Sequence, residues 1–255
     1  MIRLYRTLIK QSFEETFAYR GTTILTIVFG ILFYAIVILT GSVYFSFAKD
    51  IFGWDFTDYL NLVTTANVMT YLYEFLFVQS QEALTSQILE GTLDYSLIRP
   101  VNTYWFHVLY RVDFPSLIPL ILTVGIEWVI IARIRLSFSQ ILLYVLIVML
   151  GTLFIFCLNQ IAVTATFWID GLSALAGLPE YIMDASTRPA KIYPKVIQVL
   201  FLWILPSLTV TNIPVSLRYR TSFRAVIWLA VVDACLLIAS KFEWQRGLEQ
   251  YVSAN

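Results

Sequence analysis

Polar and apolar positions in this chain fall into long blocks, not into the short alternations of a soluble protein. Thr22 to Ala48 contains no charged residue, and a run of that length crosses the ~30 Å hydrocarbon core of a bilayer with some tilt. The same reading places further spans at residues 59–78, 104–131, 136–168 and 223–240, after a first at 22–48. Pro115 and Pro119 sit early in the third, where a missing donor and a bulky ring predict a kink. Two more stretches are ambiguous. Residues 170–187 are only moderately apolar and hold Pro179, Glu180 and Asp184, while residues 192–215 are strongly apolar but broken by Pro206 and Pro214. Ahead of the first span, residues 2–18 are amphipathic: Ile2, Tyr5, Ile9, Phe13 and Phe17 share one face, with Arg3, Lys10 and Glu14 away from it. Such a helix lies in the membrane interface.

Composition supports lipid as the solvent. Hydrophobic residues make up 59% of the chain and charged ones 13%, too little polar surface to cover a soluble core. Zero net charge argues against a nucleic-acid partner. The abundant Trp and Tyr fit interfacial belts. The start of the chain lacks the short apolar core and small-residue cleavage site of a secretory signal. Cys157 and Cys235 both sit in apolar runs and read as small buried hydrophobes, not a redox pair.

Loop charges suggest an orientation. Arg3, Arg6, Lys10 and Arg20 precede the first span, which puts the N-terminus in the cytoplasm by the positive-inside rule. Lys241 and Arg246 place the C-terminus there too, so the number of crossings is even and only one ambiguous segment spans. Charge counting prefers 192–215. In either arrangement Arg218, Arg220 and Arg224 lie outside, against the rule.

Chemistry is sparse. There is no G-x-x-x-x-G-K-[ST] loop and one histidine, His107, so the sequence predicts no catalytic site, no metal site and no enzyme. Ionisable groups within spans are costly and hence functional candidates. Glu74 and Asp113 lie near span ends; Glu127, a turn or two from Arg133 and Arg135, and the deeper Asp233 are the candidate intramembrane polar positions.

The segment at 80–100 is half polar and half apolar. Residues 81–90 can form a short helix, Gly91 suits its C-terminal cap, residues 92–98 can form a second piece and Pro100 ends it. It cannot cross a membrane, and spacing fits a docking knob and an ordinary interfacial loop helix equally. Its residues carry a resemblance. "ILEGTLDYSLIRPVN" is similar to I-x-x-G-x-L-D-x-x-L-x-R-P-V of ABC-2 type permeases, in the six-span subgroup grouped with daunorubicin-resistance-like exporters. Ile88, Gly91, Leu93, Asp94, Leu97, Arg99, Pro100 and Val101 match. So, in order, do "YRGT" at Tyr19, "GW" at Gly53, "FW" at Phe167, "IYP" at Ile192, "LP" at Leu205 and "RGLEQYVSA" at Arg246; the ending "SAN" departs from the usual Ser-Ala-Gly.

The resemblance implies an all-α integral membrane protein with six transmembrane helices, an N-terminal interfacial helix, a cytoplasmic coupling helix and a re-entrant outer hairpin, resembling the ABC-2 or type V exporters. It makes 170–187 the fifth span and 192–215 the hairpin, against the charge count. It implies a multi-pass subunit of the cell inner or plasma membrane, paired with a second permease, identical or homologous, and with two copies of an ABC ATP-binding subunit. ATP and Mg then belong to that partner and no cofactor to this chain. Glu90, Gly91, Leu93, Asp94, Leu97, Arg99 and Pro100 become the coupling residues. Aromatic and aliphatic spans suggest a lipid-like or amphiphilic substrate, moved outward. A membrane scaffold or assembly factor without transport activity, and a secondary transporter, are the competing readings.

Overall fold

In a computed structural model the protein is described over residues 2–98, 101–169, 178–220 and 222–251. These residues are helical apart from loops and one isolated bridge, Ile51 to Trp54. Four helices are long and apolar enough to cross a membrane: Arg20–Phe47, Phe114–Ile134, Phe138–Phe167 and Phe223–Gln250. A fifth is reached if the bent pair Lys195–Ile204 and Ser207–Ser216, angled at 88°, counts as one span.

The N-terminal helix α1 (Ile2–Ala18) leaves Ile9, Phe13 and Phe17 exposed, the apolar face an interfacial helix offers to lipid. It is tied to the bundle by its polar side: Ser12 Oγ accepts from the Val112 N–H at 3.3 Å, and Glu15 pairs with Arg111 at 3.6 Å. Helix α2 (Arg20–Phe47) buries only Tyr34 and Gly41. A β-carbon on Gly41 would lie 1.8 Å from the Tyr59 ring, so glycine is what lets α2 approach the next helix.

That helix, α3 (Phe56–Tyr73), is the centre of the molecule. It packs against α2, α7 (Leu117–Ile134), α8 (Phe138–Thr164) and α11 (Ser207–Ser216). Protein surrounds it, so it can carry Asp58, Asn61, Thr64 and Thr65 fully buried. Hence it is less apolar than its neighbours, although it lies where the sequence puts the second span. It continues through a widened π-helical stretch, Glu74–Val78, into α4 (Gln79–Leu89).

The stretch expected as one kinked span at 104–131 is built differently. A short helix α6 (Thr103–Val108), capped by Asn102, is followed by a break, and the long helix opens with a 3-10 turn at Phe114–Ser116. The Asp113 side chain caps that turn, accepting from the Ser116 N–H at 3.2 Å. Pro115 lies in the first turn, where a proline loses nothing because the N–H has no helical partner. The prolines open the helix instead of kinking it. At the other end Arg135, at φ 55°, terminates α7, and Ser137 with Gln140 forms a capping box that starts α8.

The bundle thus has two ends. The near end carries α1, α4, the small helix α5 (Asp94–Leu97), α6 and the end of α12 (Phe223–Gln250). The far end carries the 48–55 loop, the α7–α8 turn and residues 217–220. The bent pair, whose first arm opens with α10 (Lys195–Val199), begins and ends at the far end: Lys191 Nζ donates to the Phe52 carbonyl at 3.4 Å, and Gln140 Nε2 to the Leu217 carbonyl at 2.8 Å. Of the stretch at 170–187, residues 170–177 fall outside the described residues; the rest forms α9 (Leu178–Ala185). Ser186, next in the chain, hydrogen-bonds Ser207 at 2.8 Å. Cys157 is buried, but Cys235 faces outward on α12.

Candidate functional site

The near-end segment is built around one glycine. Gly91 adopts φ 66°. The Gly91 N–H reaches the Ile88 carbonyl at 3.3 Å and the Thr92 N–H the Gln87 carbonyl at 3.0 Å. These paired bonds close α4 with a left-handed cap that a residue with a β-carbon adopts only at a cost. The chain turns back, and Leu93 enters the hydrophobic core fully buried. Its N–H donates to the Tyr251 hydroxyl at 3.1 Å. Leu97 packs on the same core. Glu90 is exposed and Asp94 partly so. Arg99 and Pro100 lie outside the described residues.

The apolar surface this segment presents outward is therefore not the Leu93 face. It is Leu89, 47% exposed, and Ile98, 81% exposed, with Glu90 beside them. Sequence reasoning counts Ile98 with Leu93 and Leu97 among the apolar residues of the second piece, but misses Leu89, and Tyr251 as well. Leu89 and Ile98 flank the glycine turn, which was the available signal; the Tyr251 contact joins residues far apart in the chain and left none.

At its base the segment is held to α8 by a buried polar latch. The Tyr73 hydroxyl donates to Gln81 Oε1 at 2.6 Å and accepts from Asn159 Nδ2 at 2.7 Å. Gln81 Nε2 reaches the Phe156 carbonyl and Gln160 Oε1, each at 3.2 Å. Within the widened turn the Phe75 carbonyl accepts from the Asp113 N–H at 3.0 Å, and Ser80 Oγ exchanges hydrogen bonds with the Arg111 backbone. Glu74 accepts from the Ser116 hydroxyl. His107 is buried among Phe106, Tyr110 and Trp244.

The far end carries a different cluster. Arg218 donates to Asp55 at 2.9 Å and to Asp58 at 2.8 Å, and the Tyr219 hydroxyl donates to Asp58 at 2.6 Å. Asp55 and Asp58 also cap α3 reciprocally, each carboxylate accepting the other's N–H. Hydrogen bonding to Asp58 raises the Arg218 pKa further, so its charge is permanent. Burial, with the bond to Asp58, pushes the Tyr219 phenol up to about 12. Burial alone would lift Asp55, but the Asp58 N–H and Arg218 outweigh it and hold this carboxyl below its ordinary value. Arg218, one of the arginines that run against the positive-inside count, thus has a structural task.

Glu127 and Asp233 do not form one site. Each is buried and neither carboxyl completes a hydrogen bond. Glu127 faces Tyr144 and Asp233 faces Cys157, at opposite parts of α8. Glu127 makes no ion pair with Arg133 or Arg135 among the described residues. No group of three metal-ligating side chains occurs among the described residues.

Against known proteins, a family model described as "ABC-2 family transporter protein" matches residues 17–255. No curated protein matches the chain.

Proposed function

The chain belongs to the ABC-2 transporter family, and from that premise we propose that it is the permease subunit of an ATP-driven exporter, moved by a separate ATP-binding subunit seated on Leu89, Glu90 and Ile98. The observation that carries this reading is the unbroken run of α3, the widened turn and α4. A helix that passes through the centre of the bundle and emerges as a capped knob turns a push on the knob into movement of the span. Leu93 and Leu97 anchor the knob inward, leaving its other face, with Asp94, for the partner; Arg99 and Pro100, next in the sequence, are proposed as further coupling residues. ATP and Mg bind in the partner, whose closure supplies the differential affinity between inward- and outward-facing states. Two such partners serve two permeases, the second identical or homologous to this chain. The exposed apolar length of α2 suits that second permease or lipid. With the near end cytoplasmic, both termini lie inside the cell, in the inner or plasma membrane. The exported substrate is lipid-like or amphiphilic.

Pull-down of the full chain from native membrane tests this. An ATP-binding subunit is expected to co-purify, with ATPase activity that responds to this chain. Gly91→Val and Arg99→Glu are expected to keep the spans inserted and uncouple hydrolysis from transport. A chain that recovers no ATPase, or mutants that transport normally with the partner bound, defeats the proposal. The first result favours a scaffold.

A further inference from the structure

Coupling through the near end leaves Glu127 without a task, yet it is the best-enclosed carboxyl of α7. It is 3% exposed, and neither oxygen accepts a hydrogen bond. An ionised carboxylate left so, away from water, is severely unfavourable. We infer that Glu127 is a proton-binding site: a neutral carboxylic acid heading a one-way hydrogen-bond chain across α7, α8 and α3.

The argument is a count of hydroxyl protons. Thr65 Oγ1 donates to Asn61 Oδ1 at 3.1 Å, which uses the one proton Thr65 has. The Tyr144 hydroxyl lies 3.0 Å from the same Thr65 oxygen, so Tyr144 must donate there, and its single proton is used as well. Tyr144 then has only lone pairs for the carboxyl beside it. A carboxylate, which only accepts, would set lone pairs against lone pairs. A carboxylic acid donates, and the series Glu127 to Tyr144 to Thr65 to Asn61 runs with every proton placed.

The surroundings offer no counter-charge. From α2 the titratable group facing Glu127 is Tyr34, whose hydroxyl is engaged with Thr64 at 2.8 Å. From α8 it is Tyr144, and α3 contributes the neutral Asn61, Thr64 and Thr65. No basic side chain pairs with Glu127 among the described residues. Proton loading is thereby linked to the packing of α3 against α7 and α8, because losing the proton removes the only bond Glu127 can make.

Infrared spectroscopy of the full chain in lipid nanodiscs at neutral pH tests this. The wild type minus E127Q difference is expected to contain the C=O stretch of a protonated carboxyl. Y144F removes the acceptor and is expected to shift that band without abolishing it. D233N is expected to leave it in place, which separates Glu127 from the other buried carboxyl. The amide introduced by E127Q keeps a donor for Tyr144, so the variant should fold; if it does not, the Y144F shift is read in the wild-type glutamate background. A difference spectrum showing only an ionised carboxylate, or a protonated band indifferent to Y144F, overturns the assignment.

Discussion

The far end of the bundle is held by a charge cluster with a buried carboxylate, and the near end chiefly by rings and neutral hydrogen bonds, its Glu15–Arg111 pair being longer, at 3.6 Å, and partly exposed. At the far end Arg218 bridges two carboxylates, one 1% exposed, and Tyr219 adds a third hydrogen bond. At the near end Phe167 stacks edge-on to Trp244 and Tyr251, Tyr104 meets Trp244, and Lys241 sits 4.7 Å from the Trp105 ring. The segment around Gly91 is fastened by the Leu93–Tyr251 bond and by apolar contact. A directional pair with a buried partner allows one geometry, and its loss leaves an uncompensated charge. Aromatic packing tolerates several offsets at similar energy. Under the proposed function, the difference would make the far end the fixed point of the bundle and the near end the part that moves.

The largest way to break this contrast is Arg218→Ala. Asp58 keeps Tyr219 and the Asp55 N–H but loses its cation, and the expected cost is about 2–3 kcal/mol, read as a fall in thermal unfolding temperature in detergent. Acid should reach the same contact. Asp55 has its pKa held down, so its contribution is present above the ordinary value of 3.8 and is lost as pH falls through the lower folded value. Tyr219 acts oppositely: its contribution is complete below 10.0 and lost as pH rises towards about 12. Between these limits the far end should be insensitive to pH, and Asp55→Asn should remove the acid limb alone. An Arg218→Ala protein as stable as the wild type would erase the contrast.

A smaller effect belongs to Gly247 at the near end. A β-carbon there would lie 2.3 Å from the Phe167 ring, so Gly247→Ala forces Phe167 to yield against Trp244 and Tyr251. Overpacking of this kind costs about 1–3 kcal/mol. If the near end is adaptable, the cost should fall in the lower half of that range and be accompanied by altered ATPase coupling. A cost above the range would show the aromatic block to be as rigid as the charged one.

Much of this was legible along the chain, but unevenly. Uncharged runs announced α2 and α8, and a run interrupted only by Arg224 and Asp233 announced α12, because a lipid-facing helix has no other way to be stable. Gly91 announced its turn through its spacing from Ile88 and Pro100. Helix α3 was harder, since a span enclosed by protein is free to be polar, and its Asp58 and Asn61 look like loop residues. The break between α6 and α7 was misread as a kink because Asp113 and Ser116 were not weighed as a cap ahead of Pro115. The Asp58–Arg218 contact and the Tyr73–Gln81–Asn159 latch join residues distant in sequence, and no local pattern encodes them. Glu127 was legible as an oddity, and Arg133 and Arg135 offered a false partner, for both are exposed at the end of α7 while Glu127 is buried.

The smallest effect tests the near end most directly. Tyr251→Phe removes one hydroxyl, leaves the ring in contact with Phe167, and frees the Leu93 N–H. That N–H sits beside a fully buried side chain, where water replaces the lost acceptor poorly, so a cost of about 1 kcal/mol is expected. The cost should be local. Amide hydrogen exchange should quicken from Leu93 to Ile98 and stay unchanged around Asp55 and Asp58, because among the described residues the two ends share no hydrogen bond. Global stability should barely move, since the segment opens without unfolding the bundle. Faster exchange at both ends would mean that the near end cannot loosen alone, and a coupling segment that moves only with the whole bundle could not act as a lever within it.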